Sequence, residues 1–175
     1  EERRKRNKII VPYFTDFITP LVPSFLKLAG YDADVLPISD PGSDKYGLRY
    51  ANNEICYPAT LIVGDIIKAF ESGAYDAEKT TVLITQTGGQ CRASNYISLI
   101  KKALVDAGYE DVPVVSLTMD SNMQNNQPGF RMNMRKLLPI ALATILYTDA
   151  VSRMYYAALP REKEKGLADK LRDKY

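Results

Sequence analysis

Between Lys8 and Leu117 the chain alternates strand-length apolar runs with segments whose apolar residues recur at helical spacing, and this alternation limits the available folds more than any other feature. The run K-I-I-V-P-Y-F, Lys8 to Phe14, predicts a strand. Asp16, Thr19 and Pro20 then supply a helix start. Leu21, Val22, Phe25, Leu28 and Ala29 form its apolar face, and Gly30 stops it. Ala33 to Ile38 predicts a second strand. A strand, a helix and another strand in so short a span require parallel strands joined by a right-handed crossover.

The pattern then repeats. Ser39 to Asn53 is rich in turn residues and reads as a loop with one helical turn. Pro58 suits the first turn of a helix, and Ala59, Ile62, Val63, Ile66, Ile67 and Phe70 mark one face of it at steps of three and four, so Cys56 falls just before a helix N-terminus. Gly73 ends that helix, and Thr81 to Thr85 predicts a third strand. It empties into T-G-G-Q-C-R-A-S-N, with Cys91 in a glycine loop. Ser94 or Asn95 is the expected N-cap of the next helix, whose Tyr96, Ile97, Ile100, Leu104 and Ala107 keep helical spacing up to Gly108. Val112 to Leu117 predicts a fourth strand, and Pro113, which cannot donate to a ladder, places it at a sheet edge or marks its start. A polar loop, Thr118 to Gly129, follows.

Arg131 to Leu159 reads as a long helix, kinked or begun near Pro139. From Leu137 to Leu146 it is apolar on nearly every face, so it either crosses a core or packs on a neighbour. The expected architecture is an α/β three-layer sandwich with a parallel sheet of about four strands, order 2-1-3-4, and a long C-terminal helix. Residues 1–7 read as a linker, and the basic cluster Arg3 to Lys8, which runs one residue past it, reads as a solvated stretch. Residues 8–130 read as the α/β domain, and 131–175 as a helical segment packing on that domain or on a missing neighbour. Ligands of such sheets bind beyond the carboxyl ends of the strands, where the winding reverses, and both cysteine loops fall there.

Residue types narrow the chemistry. With 23 basic residues offset by 21 acidic ones, no basic footprint for nucleic acid is expected. The most apolar stretch, Leu137 to Tyr147, holds Pro139 and Thr144 and reads as too short for a membrane span. Two cysteines form no disulfide framework, which points to a reducing cytoplasm. Histidine is absent, so histidine-based triads, Cys-His catalysis and histidine metal sites are excluded. The chain starts at Glu1 without an initiator Met and ends in L-A-D-K-L-R-D-K-Y, an amphipathic helix, so a piece of a longer polypeptide is expected.

Cys91 beside Arg92, and Cys56 beside its own helix N-terminus, are placed to favour thiolate over thiol. Two such thiolates at one crevice are the raw material of a soft-metal site, zinc or iron-sulfur, with Gly88 and Gly89 letting backbone N-H groups approach sulfur. Three other readings stand beside it: two inert buried cysteines, a redox disulfide between them, and a phosphate-binding nest formed by Q-T-G-G-Q. Gln86 and Asn95, with Asn52, Asn53 and Glu54, would orient a ligand or cap backbone groups. Tyr57 and Tyr96 would shield a cluster or join the core. No catalytic residue stands out.

The segments E-I-C-Y-P-A-T-L-I-V-G-D-I-I-K-A, D-A-E-K-T-T-V-L-I-T-Q-T-G-G-Q-C-R-A-S-N-Y and D-V-P-V-V-S-L resemble the large proteins related to the 2-hydroxyglutaryl-CoA dehydratase activator, in which an ATPase portion is fused to a dehydratase-like segment. K-I-I-V-P-Y-F-T-D and D-V-L-P-I-S-D look like the same family, and the match covers most of residues 7–160. The resemblance implies flavodoxin-like α/β domains and an oxygen-sensitive 4Fe-4S cluster. Cys56 and Cys91 become ligands, and Gln86, Gly88, Gly89, Arg92, Asn95 and Tyr57 become their surroundings. It implies low-potential electron transfer in 2-hydroxyacyl-CoA dehydration or a related reduction. Expected partners are the rest of the same polypeptide with its ATPase portion, a second copy of the chain, and an acyl-CoA. Neither nucleic acid nor a membrane is expected. No nucleotide motif is present here, so no ATPase activity is expected of these residues. A cuboidal cluster takes four ligands, or three with an open iron, and the chain has two cysteines; the others would come from the missing polypeptide or from a second copy across a two-fold axis. The competing expectation is a non-catalytic module that docks the ATPase portion through the apolar Leu137 to Leu146 helix and whose cysteines are inert.

Overall fold

A computed structural model describes residues 7–52, 54–86, 96–118 and 133–175. Its sheet has four parallel strands: β1 (Lys8–Val11), β2 (Ala33–Val35), β3 (Thr80–Gln86) and β4 (Val114–Thr118), in the order β2-β1-β3-β4. Ile9 stands opposite Ala33 on one side and Thr81 on the other, and Ile84 opposite Ser116. Successive strand residues face opposite ways, yet Ile9 and Ile10, Val82 and Leu83, and Val114 and Val115 are all buried. A sheet covered on both faces needs continuous apolar runs, which is why the strands read as K-I-I-V and T-V-L-I and not as alternating patterns. This is the inner layer of a three-layer α/β fold. Pro113 precedes β4, an edge strand, and its carbonyl accepts from Val82 N at 2.8 Å. β1 ends at Val11 because Pro12 follows.

The chain divides into two compact units. One holds Glu1–Tyr13 and Tyr31–Met132; the other holds Phe14–Gly30 and Asn133–Tyr175. Within the first, α2 (Ser43–Tyr50), α3 (Tyr57–Glu71) and α4 (Tyr96–Asp106) accompany the sheet. Ile10, Val82, Ile84 and Val114 share one apolar cluster with Val63, Ile66, Ile67 and Phe70 of α3 and Ile100 and Leu104 of α4. Gly73 and Gly108 stop α3 and α4 with φ of 71° and 83°, a conformation a side chain resists.

The expectation for Ser39 to Asn53 requires correction. The loop with a single helical turn over Ser39 to Asn53 contains α2, eight residues long. Its Pro41, Gly42 and Gly47 read locally as turn chemistry, but Gly47 answers to a neighbour. A Cβ there would lie 2.1 Å from the carbonyl oxygen of Thr60, and one at Gly64 would lie 1.8 Å from that of Ser43. α2 and α3 therefore meet backbone to backbone, and only glycine fits at the crossing.

In the second unit a 3-10 turn (Thr19–Leu21) leads into α1 (Val22–Leu28), joined by α5 (Met134–Ala158) and α6 (Leu167–Lys174). Thr19 Oγ1 accepts from Phe14 N and Thr15 N at 2.9 and 2.8 Å, closing the entry to the turn. α5 starts at Asn133, whose Oδ1 accepts from Lys136 N, and it continues through Pro139. The Tyr155 ring lies 5.5 Å from Phe17 and its hydroxyl donates to Asp169 at 3.1 Å, tying α5 to α6. By length and composition alone, Arg135–Arg161 is long and apolar enough to cross a membrane, which corrects the shorter estimate taken from Leu137 to Tyr147. Leu137 to Tyr147 is only the most apolar part of that 27-residue segment.

Candidate functional site

In a sheet of this order the winding reverses between β1 and β3, and the crevice lies at their carboxyl ends. The segment after β2 is pinned beside this end of the fold. Leu36 N donates to Val11 O at 2.8 Å, and the Ser39 hydroxyl donates to Asp65 of α3 at 2.6 Å. Asp40 pairs with Lys68 of α3 and accepts from Gly42 N at 2.8 Å. The Lys68 ammonium, then the Gly42 N-H, hold the Asp40 carboxyl below its ordinary pKa. These bonds fix α3 against the start of α2.

Cys56 is the N-cap of α3. Its backbone is extended (φ −66°, ψ 144°), and its carbonyl takes the first helical bonds, from Ala59 N at 3.0 Å and Thr60 N at 3.3 Å. An Asx turn precedes it: Asn52 Oδ1 accepts from Glu54 N at 3.1 Å, and Asn52 O accepts from Ile55 N at 3.1 Å. Asn52 thus caps backbone, the plainer of its two expected roles.

The half-buried Cys56 sulfur lies 3.1 Å from the hydroxyl of Tyr96, the first residue of α4. Tyr96 itself is buried. The helix that begins at one cysteine and the helix that follows the other are therefore joined at their N-termini by a sulfur-hydroxyl contact. Either group can donate, so the pair suits a thiolate accepting from tyrosine as well as a thiol donating to it. The N-terminal end of α3 adds partial positive charge next to the sulfur.

The other expected site residues divide by position. Tyr57, at the first turn of α3, is 62% exposed, its ring turned largely to solvent where Tyr96 is buried. Gln86 is the last residue of β3. Gly88, Gly89, Cys91, Arg92 and Asn95 lie outside the described residues, as do Asn53, Ser94, the basic cluster up to Arg6 and nearly all of the Thr118 to Gly129 loop. Among the described residues no group of three His, Cys, Asp or Glu could hold a metal ion.

Sequence reading passed over three polar groups. Asp65 is buried within the apolar face of α3, and a carboxylate interrupting V-G-D-I-I was a legible signal. The Ser116 hydroxyl and one Asp44 carboxylate oxygen are buried with no hydrogen-bond partner among the described residues. Ser116 projects to the same sheet face as Val114, two residues before it. No family model matches the chain, and no curated protein or solved structure matches it.

Proposed function

We propose that this chain is the dehydratase-like domain of an activator-related protein and helps to hold a 4Fe-4S cluster for low-potential electron transfer in 2-hydroxyacyl-CoA dehydration or a related reduction. The observation that carries the reading is the 3.1 Å contact between Cys56 Sγ and the Tyr96 hydroxyl. It links the Cys56 helix start to the helix that opens five residues after Cys91 in the chain. The donor chemistry fits one corner of such a cluster: a half-buried thiol at a helix N-terminus with an O-H group at hydrogen-bonding distance, the kind of outer-shell partner that tunes sulfur ligands. Cys91 is the second ligand in this reading, and the remaining ones come from the rest of the polypeptide or a second copy. When bound, the cluster supplies one-electron transfer at low potential. The chain's own part is to place Cys56, donate to its sulfur from Tyr96, and keep the site's apolar side covered by the α3 and α4 core.

Anaerobic reconstitution with iron and sulfide tests the proposal. Wild type should take up iron and develop a broad visible charge-transfer absorption, and both should weaken in Cys56→Ser and in Cys91→Ser. Serine variants that bind iron as well as wild type would sink the reading, leaving a docking module with inert cysteines.

A further inference from the structure

α5 is apolar on two sides, and only one of them is covered. Leu137, Thr148 and Val151 are buried, with Ile140, Thr144 and Tyr155 half-buried along the same line. About 140° around the helix from that line, at i, i+4, i+7 and i+8, Leu138, Leu142, Ile145 and Leu146 are 45%, 50%, 53% and 71% exposed. Four large aliphatic side chains in one contiguous row form a patch that monomers seldom leave open. Exposed charges bracket the row, Arg135 at its start and Asp149 at its end.

From this symmetry we infer that the exposed face of α5 docks a second copy of the chain, antiparallel, about a two-fold axis at Leu142. The spacing from Arg135 through Leu138, Leu142 and Leu146 to Asp149 runs three, four, four, three and is the same read in either direction. With Leu142 on the axis, Leu138 meets the partner's Leu146, Pro139 meets the partner's Ile145, and Arg135 meets the partner's Asp149, each contact occurring twice. That is the self-complementarity an isologous interface requires. Parallel pairing would instead set Arg135 against the partner's Arg135 and Asp149 against the partner's Asp149, which like-charge repulsion disfavours. By length and composition alone Arg135–Arg161 could cross a membrane, but the exposed row fits one less well: from Leu138 to Leu146 it extends roughly 12 Å along the helix axis, against a hydrocarbon core of about 30 Å. Asp149 and Arg153 then interrupt the same face.

Sedimentation of the chain over a wide concentration range, with lipid vesicles in a parallel flotation assay, tests the inference. Wild type should form a reversible dimer, and Leu142→Glu, which puts two like charges on the axis, should be monomeric with unchanged helix content by circular dichroism. Arg135→Glu and Asp149→Lys should each weaken the dimer about tenfold, since every single change creates two like-charged contacts. The double variant should regain wild-type affinity. A wild type that stays monomeric, a dimer indifferent to Leu142→Glu, a double variant weaker than either single one, or a monomer that floats with vesicles would each overturn it. These readouts need no iron, so they stand or fall apart from the cluster proposal.

Discussion

Tyr96 and Cys56 are 40 residues apart in sequence and 3.1 Å apart in space, a contact made by one hydroxyl and one sulfur. Tyr96→Phe removes only the hydroxyl and keeps the buried ring. The protein without iron should lose about 1 kcal/mol of stability, the usual worth of one hydrogen bond, measured by urea denaturation. In the reconstituted protein the midpoint potential of the cluster should move downward, because an O-H donor stabilises the more negative, reduced state. A potential unchanged by Tyr96→Phe would mean that Cys56 does not ligate a cluster, even if iron binds elsewhere. Tyr57, one residue from the cysteine but 62% exposed, serves as the internal control: Tyr57→Phe should leave stability and potential alike.

The crossing of α2 and α3 sets the start of α3 and, through it, the position of Cys56. Gly64→Ala would ordinarily favour a helix, but here the added methyl group would lie 1.8 Å from the Ser43 carbonyl. The crossing must open, and the variant should lose about 3 kcal/mol in chemical denaturation. Gly47→Ala should behave the same way, since its Cβ meets the Thr60 carbonyl at 2.1 Å. Asp40, which anchors the start of α2 to Lys68, adds a pH signature. Its folded-state pKa is lowered, so its contribution is fully present above the ordinary carboxyl range of about 4 and is lost as pH falls through the lowered value. Asp40→Asn should therefore flatten the acid limb of the stability-pH curve and change little at neutral pH beyond a constant offset. A wild-type acid limb retained in the variant would assign that limb to other carboxylates.

For the molecule as a whole, the sheet core and the open face of α5 make separate demands. Ile66 is fully buried in the cluster that joins α3 to the sheet, and Ile66→Ala should cost about 2–5 kcal/mol by the shift in denaturation midpoint. If α5 pairs with its copy, heat unfolding is coupled to association, and the transition temperature should rise by about 2 °C per tenfold increase in protein concentration. Strand order, parallel pairing, the helix starts at Pro58 and Tyr96 and the stops at Gly30, Gly73 and Gly108 were all legible, because apolar period, proline and glycine act through local backbone geometry. The placement of Cys56 at a helix N-terminus was legible for the same reason. α2 was not, since D-P-G-S and an internal glycine resemble a loop until α3 lies against them. Nor could spacing say that Tyr96 meets Cys56, or which of two equally apolar sides of α5 is covered. Periodicity is a property of a few consecutive residues, so the sequence by itself determined which segments are helices and strands and in what order they wind. Burial and contact join residues far apart in the chain, and only the tertiary structure decided which glycines touch, which hydroxyl reaches the sulfur and which leucines are left facing water.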